Sequence, residues 1–348
     1  MKDLRRELKN IGITPIEELS VQERTNIAEQ VAIKIMSLNV PGLTYYDVLE
    51  KMFFCKMWTA KMSSNVGNVN YFYQNKTIYF SKDINIEKID ENIMHECIHY
   101  IQDKRENNEK LDRMGLCTFE DFKVRGMALN EIGVNYISSK TVNKLEKNKS
   151  YTLLKQILLI TGEDAFLDSL LNSNSRFEEK FMEETNSEVL YYKVQNNLDS
   201  MFDLEQIIKR LNSDGRKSKA PEKYLSKINM HKHTIATTFL DTQWNIYNRY
   251  FSRKSELIDE IEDIKNYKEE IFNYSQWLDL SGDELKYTNF TNEKIERLNK
   301  IEIEIIRKSS NNSLIIVKEN ILHKIFRMIK KLWFKNPQYE TLFSNNNE

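Results

Sequence analysis

Apolar residues recur every three or four positions along most of this chain, the period of helices with one buried face. Ser20-Val21-Gln22-Glu23 has the form of a capping box, and Ile27, Val31, Ile35 and Leu38 follow it at helical spacing. Pro41-Gly42 ends that helix, and Thr44 starts a shorter one. The apolar and aromatic run 52–60 is read as a strand. Tyr71, Phe72 and Tyr73, then Ile78, Tyr79 and Phe80, flank Asn75-Lys76, which predicts a β-hairpin over 70–74 and 77–80. A connection over 83–89 leads to a helix with Asp90 and Glu91 at its start, where they complement the dipole. Residues 104–125 read as a loop with a short embedded turn, and a second helix follows over about 126–140.

Beyond that point the pattern is helical over 151–161, 164–172, 175–184, 188–212, 222–265 and 283–308. The stretch 212–221 (NSDGRKSKAP) is the clearest linker, and no internal repeat is visible. The last expected helix, 313–335, carries Leu314, Val317, Ile321, Ile325, Met328 and Leu332 as one stripe. Lys318, Lys324, Arg327, Lys330, Lys331 and Lys335 oppose only Glu319 there. Such a basic amphipathic helix packs on its own domain, docks on a partner protein, or lies on an anionic membrane surface. The expected fold is therefore α+β and predominantly helical: a first region over 1–145 with a small sheet, a helical lobe over 146–308 with a break at 212–221, and the basic helix.

Composition narrows the function classes. With 9 Gly and 4 Pro in 348 residues and 30% charged residues, the chain suits long helices with few tight turns. A net charge of −1 gives no global field for nucleic acid, so no nucleic-acid partner is expected. Three cysteines without CxxC spacing argue against a disulfide framework. The basic start lacks an apolar run behind it, and no segment reaches the apolar length of a membrane span. A cytoplasmic protein is expected, with peripheral membrane association through 313–335 as the open alternative.

Chemistry enters at His95-Glu96-Cys97-Ile98-His99. Residues four apart on a helix stand one above the other, so both imidazoles can reach one metal ion. Glu96 lies about 100° round the axis from His95, within reach of a water on that ion. Cys97 points to the far side and reads as core. A catalytic zinc takes three protein ligands and keeps one position open. Asp103 continues the same face but stands about 6 Å beyond His99, too far for a ligand bond. Where metzincins have Gly and a third His, this chain has Gln102 and Arg105, which excludes that class. Glu131, in the apolar helical segment 126–136, is the strongest remaining candidate, against the competing reading of an ordinary solvent-facing acid. Asn135 follows on the same face, where its side-chain oxygen can accept a ring N–H from His95 or His99. Gly133 is expected to let the two helices approach closely.

HECIH followed by Leu129-Asn130-Glu131 on a second helix resembles the gluzincins, the zinc metallopeptidases that include the thermolysin-like enzymes. The resemblance covers about residues 65–140. It implies one zinc ion bound by His95, His99 and Glu131, with Glu96 as general base, Asn130 and Asn135 behind the ligands, and a peptide or protein substrate. Thermolysin-like enzymes have an Asp where this chain has Asn135, which puts weaker water activation in view. The hairpin strand with Tyr71, Phe72 and Tyr73 can offer its edge to an extended peptide. Tyr136, His231 and His233, with Tyr247 and Tyr250 on the long helix, are the candidates for stabilising a transition state, against the commoner roles of core or solvent-facing residues. The expected function is a zinc-dependent peptidase. The alternative is a catalytically weak or inactive protein that keeps the same scaffold as a binding or regulatory module.

Overall fold

In the computed structural model the described residues are 2–63, 66–105, 111–120, 123–144 and 149–256, together with 266, 269, 296, 299–300 and 302–307. The basic helix expected over 313–335 lies outside them. The described residues up to Arg253 belong to one compact unit. The boundary expected at 145/146 falls inside that unit.

The fold is α+β and mostly helical. Its first sheet holds β1 (Ile13–Glu18), β2 (Lys56–Met62), β4 (Thr77–Ser81) and β3 (Val69–Phe72), in the order β1-β2-β4-β3. β2 and β4 are parallel and the other two pairs antiparallel, so β3 is an antiparallel edge strand. Between β1 and β2 the chain crosses through α2 (Val21–Met36) and α3 (Tyr45–Phe53). Each begins with a complete capping box, Ser20 with Glu23 and Thr44 with Asp47.

The sheet is covered on both faces. Phe72, Tyr79 and Ala60 pack with Leu8 of α1 (Lys2–Ile11) on one side. Tyr71, Ile78 and Phe80 turn to the other, where α4 (Glu91–Gln102) lies against β3 and β4. A strand covered twice reads as an unbroken apolar run, and Thr77–Phe80 are all buried. The 70–80 hairpin forms as expected, except that β3 ends at Phe72, so Tyr73 and Gln74 belong to the turn rather than to the edge strand. The run 52–60 does not form one element: α3 ends at Phe53 and β2 starts at Lys56. An apolar run bridging a helix end and a strand start has no single period, so pattern alone could not divide it.

Residues 103–125 are not a loop. β5 (Asp103–Arg105), β6 (Leu111–Met114), β7 (Cys117–Glu120) and β8 (Lys123–Arg125) form a second, antiparallel sheet in sequence order. Its strands are three or four residues long and carry charges, too short for alternation to show. The remaining helices are α5 (Met127–Thr141), α6 (Lys149–Thr161), α7 (Glu163–Asn172), α8 (Arg176–Thr185), α9 (Glu188–Ser213) and α10 (Pro221–Glu256). Only a short 3-10 turn at Lys217–Lys219 interrupts the linker between the last two.

Candidate metal centre

α4 opens at Asp90, whose carboxylate accepts the Ile93 N–H at 2.9 Å, and buries Ile93, Met94, Cys97, Ile98 and Ile101. That burial fixes the helix roll, so the opposite stripe, His95 and His99, faces α5. α5 opens differently, because Gly126 at φ +76° has no side chain to cap it. Asp199 of α9 replaces the cap, accepting the N–H of Gly126 at 2.8 Å and of Ala128 at 2.9 Å. Glu131 sits one turn in, aimed at the histidines.

The three side chains converge. His95 Nε2 and His99 Nε2 are 3.0 Å apart, Glu131 Oε1 is 3.3 Å from His99 Nε2, and Oε2 is 3.6 Å from His95 Nε2. Four ligands at zinc-type bond lengths around a tetrahedral ion stand about 3.3 Å from one another. The donors are thus spaced as neighbouring corners of such a shell, and their chemistry, two imidazoles and a carboxylate, suits a divalent transition metal. Glu131 is not a solvent-facing acid: its side chain keeps 24% of its exposure and both oxygens face imidazoles.

Electrostatics treats the two histidines differently. Burial, followed by the neighbouring His99, holds His95 down to about 4, so its ring is neutral at neutral pH. A hydrogen bond with Asn135 works in the opposite sense on the same ring. Burial opposes charge on His99 too, but the Glu131 carboxylate, with Glu96 and Gln102, outweighs it and raises that histidine. Glu131 in turn lies below the usual carboxylate range, because its bond to His99 and the two imidazoles overcome its own burial.

Glu96 is beside the cluster but tied to the sheet. Its Oε2 accepts the Tyr71 N–H at 2.7 Å, and burial pushes its carboxyl up to about 7. Tyr71 therefore turns its N–H to the open edge of β3. Its hydroxyl donates to Asp103, its ring packs edge-on against Tyr100, and Asp103 also takes both arms of Arg105 at 2.8 Å. Arg105 donates in addition to the Tyr73 carbonyl. Phe72 is in the core on the far face of the sheet, and Tyr73 is exposed.

The other expected residues go elsewhere. The Tyr136 hydroxyl donates to Glu163 at 3.2 Å, with its ring against Tyr151 and Phe166. His231 and His233 lie on α10, half-buried and exposed, without a hydrogen bond or ion pair to the cluster among the described residues. Asn130 is fully buried and bonds to Leu116 and Gln102 rather than to a histidine. Gly133 faces α7 instead of α4, since a Cβ there would stand 2.9 Å from Phe166 and 3.0 Å from Leu170. Sequence reasoning missed Gln102, Asp199 and the Tyr71 N–H. Only Gln102 left a trace, three residues after His99 on the same helix face. No protein-family model, curated protein or solved structure matches the chain.

Proposed function

We propose that this chain is a zinc-dependent peptidase of the gluzincin type, with His95, His99 and Glu131 holding the ion and Glu96 as general base. The observation that carries this reading is the meeting of an HExxH pair with a third donor from a separate helix, at 3.0 to 3.6 Å. A zinc ion bound there supplies Lewis acidity toward water and a substrate carbonyl. The chain's own residues do the rest. His95 offers a neutral ring, Glu131 balances positive charge, and Asn135 steadies His95 from behind. Glu96, with a carboxyl lifted to about 7, sits where one group can take a proton and later return it to a leaving amine.

An extended peptide is the substrate class that the neighbouring strand suits. β3 is an antiparallel edge, and main-chain pairing along it would carry a peptide past Glu96. Two of the outward groups are already engaged, the Tyr71 N–H by Glu96 and the Tyr73 carbonyl by Arg105. A peptide docking there has to share or displace those bonds. The Glu96–Tyr71 bond also favours a second reading, a zinc-binding protein that keeps the site without hydrolysis.

Glu96→Gln separates the two. On the peptidase reading the variant retains stoichiometric zinc and loses hydrolysis of a mixed peptide library by at least about a hundredfold. Full hydrolysis by that variant removes Glu96 as the base. Zinc in the wild type without any cleavage leaves the binding protein.

A further inference from the structure

His99 Nδ1, the ring nitrogen turned away from the cluster, is buried and makes no hydrogen bond. One turn on, Gln102 is completely buried, and its Nε2 also lacks a partner. The orientation of its amide is nevertheless fixed. The Leu116 N–H can only donate, so Asn130 must turn Oδ1 toward it, at 3.0 Å. That leaves Asn130 Nδ2 to donate to Gln102, which must present Oε1, at 3.2 Å. The chain of bonds starts from a backbone group that cannot flip, so each amide along it has one allowed orientation.

An amide oxygen has two acceptor positions, and Asn130 takes one. Gln102 and His99, three apart on α4, share a helix face. The Gln102 side chain interacts with the His99 ring, and its fixed amide leaves Oε1 as the atom able to accept Nδ1–H. The second sheet is what delivers this relay. Its β6–β7 turn places Leu116, and Gly115 at φ +59° makes room, since a Cβ there would stand 2.2 Å from Asn130 Oδ1 and 2.5 Å from Gln102 Nε2.

We propose that Gln102 is the positioning residue for His99, its Oε1 accepting Nδ1–H so that Nε2 presents a lone pair to the metal. This rests on the zinc reading above for its purpose, but not for its test. The full-length chain labelled with 15N-histidine is compared with Gln102→Met, which removes the acceptor, and Gln102→Glu, which keeps one. Two quantities are read: the His99 Nδ1–H resonance in zinc-free protein at neutral pH, and zinc affinity by competition with a chromophoric chelator. The wild type shows a solvent-protected Nδ1–H. Gln102→Met loses it and binds zinc about 10- to 100-fold more weakly, while Gln102→Glu restores both. A wild-type His99 without a proton on Nδ1, or a folded Gln102→Met with unchanged zinc affinity, overturns the assignment. If Gln102→Met does not fold, the wild-type resonance decides alone. A wild type that binds no zinc sinks the metal reading, and the same resonance still decides this one.

Discussion

Glu131 is the residue on which the candidate centre turns. It belongs to neither the HExxH helix nor the sheet, and without it the two imidazoles would face each other at 3.0 Å with no anion between them. Its carboxylate is ionised because His99 and His95 outweigh the burial that opposes charge. Glu131→Gln keeps the volume and removes the charge. Zinc affinity is expected to fall by two orders of magnitude or more by chelator competition, with far-UV circular dichroism unchanged. Equal affinity in the variant would show that the carboxylate is not a ligand.

At the scale of elements, the site depends on how α5 is started. Gly126 cannot cap its own helix, and Asp199, far along the chain on α9, does so with two bonds. Asp199→Ala leaves both N–H groups without that acceptor and should cost about 2 kcal/mol, read as a lower urea midpoint at constant m. An unchanged midpoint would mean that water replaces the carboxylate at no cost. The same helix shows where sequence reading stops. Its existence and the aim of Glu131 were legible, because a 3.6-residue period carries a helix and a face together. The hairpin was legible from its turn and aromatic flanks. The cap was not, since Asp199 looks like any polar residue on a long amphipathic helix. The second sheet was not either, because strands of three or four residues, each carrying charge, have no readable alternation. Gly133 shows a subtler loss: its smallness signalled close approach, but not that the partner would be Phe166 of α7.

Across the whole molecule, binding at the cluster should be felt as stability. The ligands come from α4 and α5, and each is held by elements far away in sequence. α4 packs on the first sheet and α3, whereas α5 is capped by α9 and packed on α7 through Gly133. An ion joining α4 to α5 therefore links the helix packed on the first sheet to the one held by α7 and α9. An ion that binds the folded state alone stabilises it by about 2.7 kcal/mol at a hundred times its dissociation constant. For a unit of this size that is a rise of roughly 5–10 °C in melting temperature. Calorimetry of the full chain with graded free zinc should show a midpoint that climbs with the logarithm of zinc and returns on adding chelator. Glu131→Gln should flatten the dependence, and Glu96→Gln should preserve it, because only the first removes a ligand. A midpoint indifferent to zinc in the wild type would break the link between this cluster and a metal, whatever the spacing of its nitrogens and oxygens.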